Sequence, residues 1–185
     1  MIERTTPSNL KLPPASITAE DGTILRAKSH PTLEQAVKEH LEYFRRSSKD
    51  YSVDGVYQVK TDGFPIYAEA SLSPKGLIAQ EEKIELFQRL DDDSWALGIE
   101  SVCYGSNVEH PGLFPMNKGR LPFWRSSSAD KHQRLVLADG LQSANAFKQA
   151  NIPAIAFPYG FGKYRAQFFD LTTLKGKWIA VLFYS

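Results

Sequence analysis

Asp139 and Gly140 stand between a short apolar run, Arg134 to Ala138, and a stretch at helical spacing. A carboxylate at such a junction can hold a divalent cation or cap the helix that follows. Farther on, Gly160-Phe161-Gly162-Lys163 has the glycines and the cation of a phosphate-cradling loop, without the G-x-x-x-x-G-K-S/T spacing of a P-loop. Lys163, Arg165, Lys175 and Lys177 are suited to contact phosphates, or to be solvated surface. Tyr159, Phe161 and Tyr164 interleave with them, as a base-stacking surface would require, though the same rings can pack beneath a loop. Cys103 with His110 offers a nucleophile and a base, and Ser128-Ala129-Asp130-Lys131 matches the bare S-x-x-K pattern of acyl-serine enzymes. Asp91-Asp92-Asp93 can attract a cation. Each of these has a plainer reading: a reduced core thiol, a serine cap, a solvated turn.

These groups must be positioned by the elements around them. Residues 1–15, with Pro7, Pro13 and Pro14, read as an extended arm, and 16–185 as a single mixed domain. Asp21-Gly22 between two short apolar runs predicts a hairpin over 16–27. The spacing of Leu33, Ala36, Val37, Leu41 and Phe44 predicts a helix over 31–46. It begins either at a Thr32/Gln35 capping box or with Pro31 at the first helical position. His40 is expected to be exposed beside the solvated face. A second hairpin is expected over 51–72, turning at Thr61-Asp62-Gly63, with Pro65 pointing to an edge strand. Residues 77–90 suit helix or strand, and the Glu and Gln there favour helix. Trp95 to Tyr104 reads as one strand, and 105–128 as a long irregular segment.

Arg134 to Ala138 then reads as a strand, Leu141 to Ala150 as a helix, Asn151 to Phe157 as a turn and buried strand, and Trp178 to Tyr184 as a strand. Strand, helix, strand, connection, strand is the rhythm of a right-handed βαβ unit. The competing reading runs one helix over 129–150, at a cost of about 1 kcal/mol for Gly140 in its middle. The expected fold class is therefore α+β or α/β, with N-terminal antiparallel hairpins and a helix, and a C-terminal βαβ part with a partly parallel sheet over 134–185.

The 185 residues are 42% apolar and 23% charged, and rich in Phe, Tyr and Trp, which excludes disorder for most of the chain. One cysteine excludes an internal disulfide and a zinc finger. No secretory leader is recognisable at the start, and no apolar run approaches the roughly 20 residues a bilayer needs. A soluble cytoplasmic protein is the expectation. The net charge of +1 hides an asymmetry: residues 1–117 hold 12 Lys+Arg against 18 Asp+Glu, and residues 118–185 hold 10 against 3. A basic last third suits an acidic partner, nucleic acid first among them, unless the two regions neutralise one another.

The stretch from Leu135 to Gly160 resembles the opening half of a TOPRIM domain, the metal-binding module of primases and topoisomerases. Asp139-Gly140 stands at that family's Glu-Gly position, Ser143-Ala144 at the start of its helix, Ile152-Pro153-Ala154 at its turn into the second strand, and Lys177 to Phe183 at its third strand. The resemblance implies a parallel sheet, Mg²⁺ held in part by Asp139, and a role in nucleic-acid metabolism such as DNA replication. The sequence departs from the pattern by carrying Asp for Glu and by reaching Tyr184-Ser185 where the family's Asp-x-Asp would stand, so metal-dependent catalysis is not expected. The leading reading is a nucleic-acid-associated binding module using Lys163, Arg165, Lys175, Lys177, Tyr159 and Tyr164. The alternatives are a structural subunit of a larger assembly, with protein partners, and a hydrolase or transferase using Cys103, Ser128 or Asp139.

Overall fold

The structure is a computed structural model that describes residues 10–76, 82–160 and 166–182. The expected mixture forms: antiparallel hairpins and a helix come first, and a parallel sheet follows. The expected single domain is composed of two compact units. One comprises Lys11–Val56 and Pro65–Met116, the other Met1–Leu10, Tyr57–Phe64 and Asn117–Ser185. Among the described residues no helix is long and apolar enough to cross a membrane.

The first unit begins at Lys11, inside the expected arm of residues 1–15, and residues 13–15 are tied down. Pro13 O accepts from the Asp91 amide, and the Ala15 amide donates to Asp91 Oδ1 at 2.7 Å. Strands β1 (Ser16–Thr18) and β2 (Ile24–Arg26) then form the hairpin whose turn Asp21-Gly22 announces. Short β3 (Ser29–His30) leads to helix α1 (Leu33–Arg46). Thr32 is the cap, its hydroxyl accepting from the Gln35 amide at 3.2 Å, so Pro31 precedes the helix rather than opening it. Glu34 in the first turn and Arg45 and Arg46 in the last complement the helix dipole.

Strands β4 (Tyr51–Thr61), β5 (Phe64–Pro74), β6 (Lys83–Arg89) and β7 (Trp95–Leu97) join β3 in a five-stranded sheet of order β3-β7-β6-β5-β4. The α1 stripe packs on it, placing Leu33, Ala36, Val37 and Phe44 against Tyr51, Ala68, Ala70, Leu72, Phe87 and Trp95. Fully burying a large apolar side chain stabilises a fold by about 1.5–3 kcal/mol, so this layer anchors the unit.

Several expectations fail here for identifiable reasons. Residues 83–89 form a strand, not a helix: β6 is hydrogen-bonded between β5 and β7, and Leu86, Phe87 and Gln88 are buried on its two faces. Tertiary pairing outweighs the helix preference of Glu and Gln. Pro65 lies in an interior strand, and is tolerated because the β5–β6 ladder begins only at Tyr67, opposite Gln88. His40 is not exposed. Its side chain is 14% accessible, it meets Phe44 edge-on at 4.6 Å, and Nε2 lies 3.4 Å from Glu85 Oε1. Trp95 to Tyr104 is two strands, because the chain leaves the sheet at Gly98 and begins β8 (Ser101–Tyr104) in a separate hairpin with β9 (Val108–Pro111). The segment 105–128 therefore holds β9 and two single-turn helices, α2 (Leu113–Met116) and α3 (Ser126–Ala129).

The second unit is built on β10 (Arg134–Ala138), helix α4 (Gly140–Gln149), β11 (Ala154–Ala156) and β12 (Trp178–Val181). Both neighbours pair with β10 in parallel, in the order β11-β10-β12. The continuous helix over 129–150 does not form. Two short 3-10 turns, Ala166–Phe168 and Leu171–Leu174, precede β12. Beside the end of β11, Phe123, Phe157 and Phe169 pack ring against ring, with centroids 4.8 to 5.3 Å apart, and the Trp124 amide donates to Ala156 O at 3.2 Å.

Candidate functional site

Asp139 lies at the C-terminal edge of the parallel sheet. From β10 the chain goes to one side to form β11, then crosses to the other to form β12. A central strand whose successors lie on opposite sides marks a switch point, and open α/β sheets bind ligands beyond the strand ends there. Asp139 is the residue directly after β10. The strand turns into α4 within a residue because Gly140 takes φ +83°. A side chain there would cost about 1–2 kcal/mol in left-handed backbone, so the glycine fixes the sharpness of the bend.

Asp139 occupies the N-cap position of α4, yet its side chain makes no capping hydrogen bond. Its carboxylate instead lies against the backbone of Gly160, where an added Cβ would fall 1.9 Å from Oδ1. Tyr159 and Gly160 are both left-handed, with φ +59° and +78°. Non-glycine residues in that region store backbone strain that the surroundings must hold in place. Tyr159, Gly160 and Asp139 thus converge on one edge. The remaining residues of this group, Lys163, Tyr164 and Arg165, lie outside the described residues, as do Phe161 and Gly162.

Lys175 and Lys177 are not part of that edge. Lys177 directly precedes β12, and its neighbour Trp178 pairs with Arg134 at the start of β10. Lys177 Nζ donates to His132 O at 3.0 Å, and Lys175 caps the second 3-10 turn. Strands rise about 3.3 Å per residue, so this N-terminal edge lies about 16 Å from Asp139 along β10. The lysines and Tyr159 cannot grip the same phosphate.

A divalent cation at Asp139 was implied by the resemblance. Among the described residues no group of three His, Cys, Asp or Glu side chains converges to hold a metal, and the described backbone beside the carboxylate is Gly160. No metal-dependent step follows from these described residues.

The other candidates are not brought together as catalytic pairs, and Cys103 is not the core thiol expected. Cys103 is exposed, opposite Glu109, whereas His110 pairs with Val102. Successive strand side chains alternate faces, so the thiol and the imidazole point apart, and His110 meets Tyr104 edge-on at 6.1 Å. Ser128 Oγ donates to Arg125 O at 2.8 Å, and the Lys131 amide donates to Ser128 O at 3.3 Å, the bonds of a turn. Asp91 accepts from Ala15, Asp92 Oδ1 accepts from the Ser94 amide and hydroxyl, and Asp93 pairs with Arg89. The aspartate run is a bonded turn.

Sequence reasoning missed Gly160 as the partner of the Asp139 carboxylate, and missed Trp178, 77% exposed beside Arg134. The apolar run 178–184 carried the signal for a strand but none for its neighbour or its bare side. Compared with models of known protein families, with curated proteins and with solved structures, the chain matches none.

Proposed function

We propose that this chain is a nucleic-acid-associated binding module, TOPRIM-like in its C-terminal part and without metal-dependent catalysis of its own. The observation that carries this reading is the carboxylate of Asp139 at the C-terminal end of the central parallel strand, set by a left-handed glycine and lying against the backbone of Gly160. The excess of 10 Lys+Arg over 3 Asp+Glu in residues 118–185 supplies the attraction for phosphates. Fluorescence anisotropy with labelled 20-nucleotide DNA and RNA strands tests it. Binding is expected at low salt, weakening linearly in log affinity against log salt, with a slope of about −0.7 per neutralised phosphate. Absence of binding to either strand at low salt would end the reading.

A further inference from the structure

The N-terminal edge of the parallel sheet, remote from Asp139, has features the Asp139 site does not use. Trp178 is 77% exposed, whereas Trp95 and Trp124 are 5% and 7% exposed. It is the first residue of β12, an edge strand, and it pairs in register with Arg134. Residues in register on parallel strands project to the same face, so the indole and the guanidinium are neighbours on one surface. A groove of about 350 Å³ runs between them, lined by Arg134, Leu135, Trp178, Ile179 and Ala180. Lys131 and Lys175 are exposed in the segments leading into β10 and β12. Arg134, Lys131 and Lys175 have no ion-pair partner among the described residues.

A parallel sheet normally has both faces covered, so a bare indole on one requires an occupant. A protein partner would bury the aromatic ring but would have to desolvate three unpaired cations with it. A nucleic-acid strand satisfies both requirements, because each base offers a flat face and each phosphate an anion. A paired base is unavailable to an indole, which selects single strands over duplexes.

We infer that Trp178 is the stacking platform of a single-stranded nucleic-acid site, with Arg134, Lys131 and Lys175 contacting the phosphates on either side of the stacked base. This rests on the reading of the chain as nucleic-acid-associated, and it adds the strand form, the location and the residue that holds the base.

The test uses the full chain and an unstructured labelled oligothymidine of about 12 nucleotides, a length within the range a single-strand site covers. Anisotropy reports binding, and Trp emission reports where it occurs. Binding should quench the emission of Trp178, and the quenching should vanish in Trp178→Phe, because the remaining indoles are buried. Trp178→Ala should weaken binding by about 5- to 150-fold, while Trp178→Phe retains most of the affinity. Arg134→Gln should reduce the log–log salt slope by about 0.7. Trp178 is too exposed for its removal to unfold the chain, and an unchanged urea midpoint checks this.

If the oligonucleotide binds with the same affinity to Trp178→Ala, the base site lies elsewhere and this inference fails, while the broader reading stands. If no oligonucleotide binds the parent chain, both fall. If Trp178→Ala instead changes the sedimentation of the chain alone, and oligonucleotide does not, the face is an interface between copies and the inference is overturned.

Discussion

Replacing Gly160 with Ala tests the coupling between the glycine loop and the Asp139 carboxylate, with Gly140→Ala as its internal reference. Both glycines are left-handed, at φ +78° and +83°. An alanine at either position bears the left-handed penalty of about 1–2 kcal/mol. At Gly140 the added Cβ meets nothing closer than Gly160 N at 3.7 Å, so the penalty is the whole cost. At Gly160 the Cβ would fall 1.9 Å from Asp139 Oδ1. The carboxylate or the loop must move, and overpacking of that kind costs about 1–3 kcal/mol more. Gly160→Ala should therefore destabilise by about 2–5 kcal/mol, against about 1–2 for Gly140→Ala. Urea unfolding of the two variants, repeated with Asp139→Ala added, gives a double-mutant cycle. Removing the carboxylate should recover the overpacking part, a coupling of about 1–3 kcal/mol between positions 139 and 160. If Gly160→Ala costs the same with and without the carboxylate, to within about 0.5 kcal/mol, the close approach is not what demands glycine there.

Two further predictions concern the first unit. Gln88 is fully buried, donating to Ser101 O at 2.9 Å and accepting from the Leu113 amide at 2.7 Å. Gln88→Leu strands both backbone groups and should destabilise by about 2–6 kcal/mol in urea titration, whereas a loss below about 1 kcal/mol would mean that other groups or water replace the amide. Burial, followed by the Asp91 carboxylate, pushes the Tyr104 phenol up from 10.0 to about 12. The folded chain keeps that proton where the unfolded chain loses it, so this contribution is intact below about pH 10 and lost as pH rises toward about 12. Tyr104→Phe sacrifices the hydrogen bond to Pro14 O but should flatten the alkaline decline of the urea midpoint, and an unchanged slope would refute the assignment.

The sequence was legible where a signal was local. The stripe of α1, with Thr32 before it, needs only one helical face to be apolar. Asp21-Gly22 announces its turn, and Leu135 to Gly140 announces a short buried strand and a sharp bend. Legibility ended where pairing partners decide. Leu86 to Arg89 are buried on both faces of β6, so the sequence suits strand and helix alike and only pairing with β5 and β7 decides. Trp95 to Tyr104 looks continuous because nothing in its composition says that Gly98 leaves one sheet for another. His40 lies beside a polar face in sequence, yet packing on Phe44 and Phe87 encloses it. Tyr159 and Lys177 are close in the chain but lie at opposite ends of the strands, a separation that only parallel pairing creates. The contact of Asp139 with Gly160 joins residues across a helix and a strand, and neither residue type advertises it.

The division of the chain has a consequence for dissection. Residues 57–64 belong with 117–185, and 65–116 return to the other unit, so neither unit is one uninterrupted stretch of polypeptide. A fragment starting at Asn117 would lack its ribbon from the middle of the chain, and one stopping at Met116 would carry that ribbon as an orphan. Cleavage at the 116/117 junction should therefore yield pieces that stay associated or unravel together, and separate expression of the halves is the wrong way to assign activity to either.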